Sequence, residues 1–540
     1  MDHSKELDVA GVHLERLGDK KQEDGGTNEH AREIHEFENR QIDFATIMAV
    51  VSLAFSYEAH LLSFVLPVTI LLTINADIGP STSINWVATA SSLSIAVIQT
   101  VAGSCSDIFG RRNFTILGNL LGLVGCITAS RANTVAVVIG GMVLQGIGAG
   151  PQQLAYAGAN EIVPKKNRGE TAAFLSLAAL PGSAFGSAIA YALVARLNWR
   201  WAYYVGAIAN GVALILTIAF YWPPSFFTLH PDVTSQLQQL KKLDWIGLLL
   251  FAGGLTSFLL GVQFGGNPYK WTSATVLAPL IIGAVAVFIL FPLDFPQISP
   301  CCALRKCSRM FEGSRFPFLI SLQVLWPQEI HSLFTTKPQT IGWYSLAYNC
   351  SATLGAIVSG VLFARIKHIR WQFFTIAVLQ CSFTASAASI TQHTPARAIV
   401  LIAMGAFCVG ASQVLATLIV QFGAEDHQIG VATGLSGTFR ATGGSIAIAI
   451  YSTIIRSYLT GHLGKNVSNA ALAAGLPVSS LPSFLKALLA QSATALKTVK
   501  GVTPTIVAAA GDGTKPTYAH AYRTVFLASI AFGGELLLVL

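Results

Sequence analysis

The sequence predicts an all-α membrane protein of about fourteen spanning helices, built as two six-helix bundles with two extra linker helices between them. Three observations carry that reading. Hydrophobic residues make up 53% of the 540 positions and charged ones only 11%, against about 25% charged in soluble domains. A helix needs about 20 apolar residues to cross hydrocarbon with its backbone bonds satisfied internally, and that ruler picks out fourteen runs, one of them short. A weak repeat links the halves: GSCSDIFGRR (Gly103 to Arg112) follows the second run, and GVLFARIK (Gly360 to Lys367) follows the tenth, with Ala364 where the first copy has Asp107. Parallel repeats of this kind place two helical bundles around a shared interface.

Residues 1–43 crowd Glu, Asp, Lys and Arg without apolar periodicity, which predicts a disordered cytoplasmic tail. The tail lacks the basic start, apolar core and small-residue cleavage site of a signal peptide, so the run at 44–72 is expected to target the membrane itself. That run opens a first bundle, 44–222, continued by 85–103, 113–130, 135–160, 171–194 and 201–222. Residues 223–297 hold the two linker spans, at 244–264 and 274–295, and 298–315 is a cytoplasmic loop. The second bundle, 316–540, takes runs at 316–333, 341–364, 371–391, 397–422, 430–459 and 522–540, with a flexible extracellular loop at 461–521.

Basic residues sort by side. Arg111, Arg112, Lys165, Lys166, Arg168, Lys241, Lys242, Arg305 and Lys306 lie in loops facing the same side as the tail, and the opposite short loops hold far fewer. The asymmetry predicts an amino terminus inside the cell. Two runs fall short. Helix 9 offers Phe316 to Trp326 before Pro327, Gln328 and Glu329, and the chain stops at Leu540 within an apolar run. A deleted piece and a shortened end are expected, leaving helices 9 and 14 incomplete.

The formal net charge of +8 would suit nucleic acid in a soluble protein, but the basic residues sit in loops between apolar runs, where membrane topology explains them. Eight cysteines are scattered through apolar runs and short loops, so no disulfide framework is expected. CCALRKC, Cys301 to Cys307, has no histidine or second cysteine pair to complete a zinc site. No GxxxxGK[ST] loop and no cluster of His, Asp or Cys at catalytic spacing occurs. The expectation is a monomer in the bilayer with a small-molecule substrate, no cofactor, no metal and no enzymatic activity.

A few polar residues interrupt the apolar runs. Glu58 and His60 fall in helix 1, where an ionisable group is costly and faces a cavity or a partner; Glu58 is either a proton carrier or a buried hydrogen-bonded structural group. Arg440, in GLSGTFRATGGS, either attracts a polar or anionic group, holds a carboxylate such as Glu58 ionised, or snorkels to the membrane edge. Gln145, Gln152, Gln153 and Gln413 either line a path or join helices. Glu161 stands at the inner end of helix 4. Asn466-Val467-Ser468 is a glycosylation sequon in the loop 461–521, whereas those at Asn349 and Asn113 fall inside apolar runs.

The loop Gly103, Asp107, Gly110, Arg111, Arg112 fits GxxxDxxGRR and resembles the signature loop of the major facilitator superfamily. N-W-R-W at 198–201, DWIG at 244–247 and RATGGS at 440–445 resemble its fourteen-helix drug:proton antiporter branch. INADIG (74–79), NEIVPKKNRGE (160–170), VLWPQEI (324–330) and LFTTKPQTIGWYS (333–345) resemble fungal trichothecene efflux pumps, a likeness running from about residue 43 to the end.

The resemblance implies the major facilitator fold. It also implies export of a hydrophobic or amphipathic toxin, secondary metabolite or drug in exchange for protons across the plasma membrane, or alternatively a vacuolar or vesicle membrane. It gives the signature loop a gating role, in which a charge cluster is made in one conformation and broken in the other, with Asp107 pairing with an arginine and Arg111 and Arg112 facing lipid headgroups. The plainer role is a topological anchor. Pro181, Gly182 and Gly186 stand for the family's helix-5 hinge, although Ser187 follows Gly186, and Met142 replaces the arginine that many proton-driven exporters carry before QG in helix 4. Ferric-siderophore transport and a degenerate, non-transporting sensor are the alternatives.

Overall fold

The computed structural model describes residues 43–79, 81, 84, 86–223, 245–265, 269, 271–289, 322–335, 337–366, 369–423, 429–477, 480, 483 and 503–539. The tail through residue 42, the loop 298–315 and the cysteines of CCALRKC lie outside them. Among the described residues every regular element is a helix, and eight helical stretches are long and apolar enough to cross a membrane. The chain is a multi-pass membrane protein.

In the first bundle, α1 (Phe44–Thr69) starts where Asp43 Oδ1 accepts from Phe44 N–H at 2.8 Å, and α2 (Leu71–Ile78) continues it beyond a break that follows Pro67. α3 (Trp86–Phe109) and α4 (Arg111–Ser130) form a hairpin joined at Gly110, whose φ of 90° lies in the left-handed region open to glycine. The fourth span is divided into α5 (Val135–Gln153) and α6 (Ala155–Ile162), because Pro151 lacks an N–H and crowds the preceding turn. The fifth is divided further, into α7 (Arg168–Ala178), α8 (Leu180–Ser183) and α9 (Gly186–Arg196). Pro181 removes a donor here, and Phe185 N–H reaches back to Leu180 O at 3.3 Å in a widened turn. α10 (Arg200–Phe220) completes the bundle and packs on α1 and α4.

α11 (Trp245–Phe264) and α12 (Ala274–Ile289) pack on each other. α11 also covers α3 and the last but one helix, through Phe251, Leu255 and Leu259 against Ala96, Val97 and Leu435. The second bundle comprises α13 (Leu322–Leu333), α14 (Pro338–Ile366), α15 (Ile369–Ala387), α16 (Pro395–Gly423), α17 (Ile429–Ala473) and α18 (Pro504–Val539).

α13 passes through Pro327 to Leu333, the expected end of its run, and its Trp326 and Ile330 are buried in the core of the second bundle; burial of that face outweighs one lost backbone bond. One sequence expectation needs correction here. The loop expected at 461–521 is helical at both ends. α17 runs on to Ala473 and stops two residues before Gly475, which has φ 95° and donates its N–H to Leu472 O at 3.0 Å, a glycine stop for the helix. α18 begins at Pro504, with Thr503 Oγ1 accepting from Ile506 N–H at 3.3 Å. Asn466 therefore lies on a helix.

The bundles meet along two reciprocal seams. α3 packs against α17, and α14 packs against α7, α8 and α9. Each copy of the repeat places its glycine at a seam. A Cβ on Gly103 would stand 2.5 Å from Gly430 O, and one on Gly360 would stand 2.9 Å from Gly169 O. Both backbones touch because neither residue has a side chain.

α2 and the ends of α4 and α10 farthest from Asp107 are tied by the N-W-R-W stretch. Trp199 Nε1 donates to Asp77 Oδ2 at 2.7 Å, Arg200 pairs with the same oxygen at 3.3 Å, and Arg200 also donates to Ala132 O at 3.2 Å. The Trp199 bond, reinforced by Arg200, holds the Asp77 carboxyl below its usual value of 3.8. A depressed carboxyl contributes stability above its unfolded pKa and loses it as pH falls through the folded value. The melting temperature of Asp77→Asn should therefore lie below wild type at pH 7 and converge with it as pH falls through the lowered folded value. A gap that persists in acid would assign the tie to packing of Trp199.

Candidate functional site

Asp107 ends α3 beside the Gly110 turn, and Arg111 opens α4. One helical turn apart, they pair at 2.9 Å between Arg111 Nη2 and Asp107 Oδ1. Arg111 also grips both oxygens of Glu161, at the end of α6, through its Nε and Nη2. All three side chains are 8% exposed or less. The second oxygen of Asp107 leaves the first bundle: Oδ2 accepts from Val431 N–H, in the first turn of α17, at 3.0 Å. A carboxylate at this position completes an otherwise orphaned N–H and meets the positive end of the helix. Gly430 leaves room for it, since a Cβ there would stand 2.7 Å from Arg111 Nη1 and collide with the Asp107 carboxylate.

The headgroup position expected for Arg111 is thereby corrected, since its guanidinium is spent inside the charge cluster. Arg112 donates to Ile218 O at 2.9 Å with its guanidinium 3.6 Å above the exposed Trp222 ring. More polar contacts cross the seams at this end. Asn160 Nδ2 donates to Gln421 Oε1, whose own Nε2 is held within the second bundle by Thr433 Oγ1 at 2.9 Å, and Thr438 Oγ1 bonds both Thr100 Oγ1 and Ala96 O at 2.6 Å. At the second seam Ser183 and Thr353 hydroxyls lie 3.1 Å apart.

Farther along the helices a narrow cleft of about 30 Å³ lies between the bundles, lined by Tyr57, Gln99, Gln153 and Tyr156 on one side and Gln413, Thr417, Thr433, Ser436 and Arg440 on the other. Arg440 stands about 16 Å along α17 from Ile429, near half the roughly 30 Å of a hydrocarbon core. No ion pair joins it to Glu58 among the described residues, so the expected pairing of those two is not present. Glu58 instead points at the broken fifth span: its Oε2 would lie 3.0 Å from a Cβ on Gly182. It is buried, and neither carboxylate oxygen has a hydrogen-bond partner among the described residues.

Gln145 accepts from Ser91 Oγ at 2.7 Å and faces His60 Nδ1 at 3.3 Å, while Gln153 Nε2 lies 3.0 Å from His60 Nε2. This chain of polar groups ties α1, α3 and α5 and ends at the cavity wall. Gln152 bonds Asn119 and Asn210, so it joins helices. Met142 fills the core of the first bundle. Gly186 packs against Val65. Sequence reasoning missed Gln99, whose place follows from a glycine notch on α17, and gave no role to Glu329, which is buried in α13 with Oε1 unpartnered among the described residues.

A sequence profile of the family described as fungal trichothecene efflux pump (TRI12) matches residues 8–538. The chain is 29% identical over 473 residues to the trichothecene efflux pump TRI12 of Fusarium sporotrichioides, covering 85% of this chain and 79% of that protein. It is 29% identical over 502 residues to the pump of the same name in Trichoderma arundinaceum, covering 89% and 81%. Among solved structures it is similar to the human organic anion transporter MFSD10, with a TM-score of 0.55 at 13% identity over 90% of this chain and 99% of that one. That last likeness concerns the fold.

Proposed function

Because the chain belongs to the fungal trichothecene efflux pump family, within the major facilitator superfamily, we propose that it exports an amphipathic small molecule, toxin or secondary metabolite, by proton antiport. The observation that carries the reading is the junction of the bundles. A charge cluster in the first bundle caps a helix of the second at one end, over a polar cavity at mid-helix depth. Such a contact can exist in one tilt of the bundles and not in the other, which is what alternating access requires. The expected orientation puts the Asp107 cluster in the cytoplasm and the cavity above it.

With the amino terminus inside, residue 466 lies about 55 Å along α17 from Ile429, past the far edge of a core about 30 Å thick. A glycan lost on Asn466→Gln is the readout of that orientation. The plasma membrane is the proposed location. Glu58 is the proposed proton carrier, since an unpartnered buried carboxyl beside a break in the fifth span can reach water when that span moves.

The export reading is tested in cells. Deleting the gene should raise intracellular levels of at least one of the cell's own secondary metabolites severalfold, and restoring it should return them to the starting level. Unchanged metabolite levels together with impaired growth on siderophore-bound iron would instead support uptake.

A further inference from the structure

Resting on the export reading, we propose that the transported molecule is a hydroxylated organic acid, held in the central cavity with its carboxylate on Arg440 and a hydroxyl on Gln99. Arg440 lines the cavity, and no ion pair to it is present among the described residues. Among the described residues the cavity wall contains no carboxylate: beside Arg440 it carries amides of Gln99, Gln153 and Gln413 and hydroxyls of Tyr57, Tyr156, Thr417, Thr433 and Ser436. A guanidinium at that depth without a counter-charge is expensive unless an anion or water answers it, and one guanidinium among neutral donors balances a monoanion.

A second, independent feature points to a ligand. Gln99 is 3% exposed and lines the cavity, and its Oε1 has no hydrogen-bond partner among the described residues. Its amide is seated against Gly437 of α17, where any Cβ would collide with it, so the side chain stays in place and its oxygen awaits a donor. Several other wall groups are already engaged: Gln153 with His60, Tyr156 with Ser176 and Thr433 with Gln421. Arg440 and Gln99 therefore stand out as an acid-binding donor and a hydroxyl-binding acceptor, on opposite bundles. A hydroxy acid bridging them would touch both halves and bind in the tilt that brings them together. The Tyr57 and Tyr156 rings, 5.3 Å apart, and Val414 offer apolar surface for its scaffold.

The test uses the full chain in neutral phosphatidylcholine nanodiscs, with cholate, abscisate and 12-hydroxydodecanoate as probes, each beside its methyl ester. Binding is read by equilibrium dialysis, so it does not depend on transport. At least one acid should bind about tenfold or more tighter than its ester, the worth of one charge-assisted bond. Arg440→Gln should bring the two within about twofold, and Arg440→Lys should keep part of the preference. Gln99→Leu should weaken a bound acid while sparing the acid-to-ester ratio. Equal binding of acid and ester overturns the proposal, as does an acid preference that survives in Arg440→Gln, or a monodisperse wild type that binds none of the three acids. Counterflow of the bound probe in proteoliposomes is scored separately: Arg440-dependent binding without counterflow sinks the export reading and leaves the acid site standing.

Discussion

Asp107→Asn is expected to lower transport about tenfold with abundance nearly unchanged, whereas Arg111→Gln should lower both. The difference follows from the charges in the cluster. Asp107, Glu161 and Arg111 carry two negative charges and one positive, and the N-terminus of α17 supplies further positive character at Val431. Asparagine at 107 leaves a balanced Arg111 and Glu161 pair behind. It keeps an acceptor for Val431 N–H but loses the charge assistance, worth about 1.5 kcal/mol. The bundle tilt in which the contact exists then falls in population by about tenfold, and so do the steps that leave from it. Glutamine at 111 strands two carboxylates that are 8% exposed, and removing one partner of a buried pair costs about 3–5 kcal/mol.

Glu161→Gln in the Arg111→Gln background should recover part of the lost abundance, because it removes one of the stranded charges. Fluorescence size-exclusion profiles and vesicle transport, taken on the same preparations, check both results. Normal transport by Asp107→Asn, with no recovery in the double variant, would reduce the loop to a topological anchor.

Much of this cluster is legible in the sequence. Asp107 and Arg111 are one helical turn apart, and the signature spacing places Gly110 where a left-handed turn is needed. The partners across the seam are not legible, because Val431 and Gly430 contribute backbone, which no residue pattern announces. Arg112 illustrates the same limit: its acceptor is the carbonyl of Ile218 and its platform is Trp222, both set by how α10 ends. The long helices α17 and α18 are legible in part. Gly475 is a glycine stop and Thr503-Pro504 a helix start, but the polar residues that precede the one and follow the other read as loop. Apolar length measures the bilayer, and a helix that continues outside the bilayer needs no apolar residues. The repeat served better, since Gly103 and Gly360 occupy reciprocal seams even though Ala364 leaves the second copy without a carboxylate.

Glu58→Gln is expected to abolish uphill, proton-driven transport, at least tenfold below wild type, while substrate counterflow continues. The residue lies in the middle of α1, buried against the region where the fifth span is divided into three short helices. Neither of its oxygens has a hydrogen-bond partner by geometry among the described residues, and an ionisable group held inside a spanning helix in this way is a natural place for a proton to come and go. Movement of the fifth span about the Pro181 and Gly182 break would change what surrounds the carboxyl without moving α1, and water admitted there would let the proton leave. Glutamine keeps the shape and the neutral form, so it should preserve exchange of substrate for substrate and remove the coupling. Aspartate should keep some coupling, with a shorter reach to the break. Proton fluxes measured beside counterflow in proteoliposomes separate these outcomes. Uphill transport that persists in Glu58→Gln would exclude the residue. Glu161 is the other carboxyl singled out in the first bundle, but Arg111 holds both its oxygens, so the search would pass to Glu329, buried in α13 with an unpartnered oxygen among the described residues.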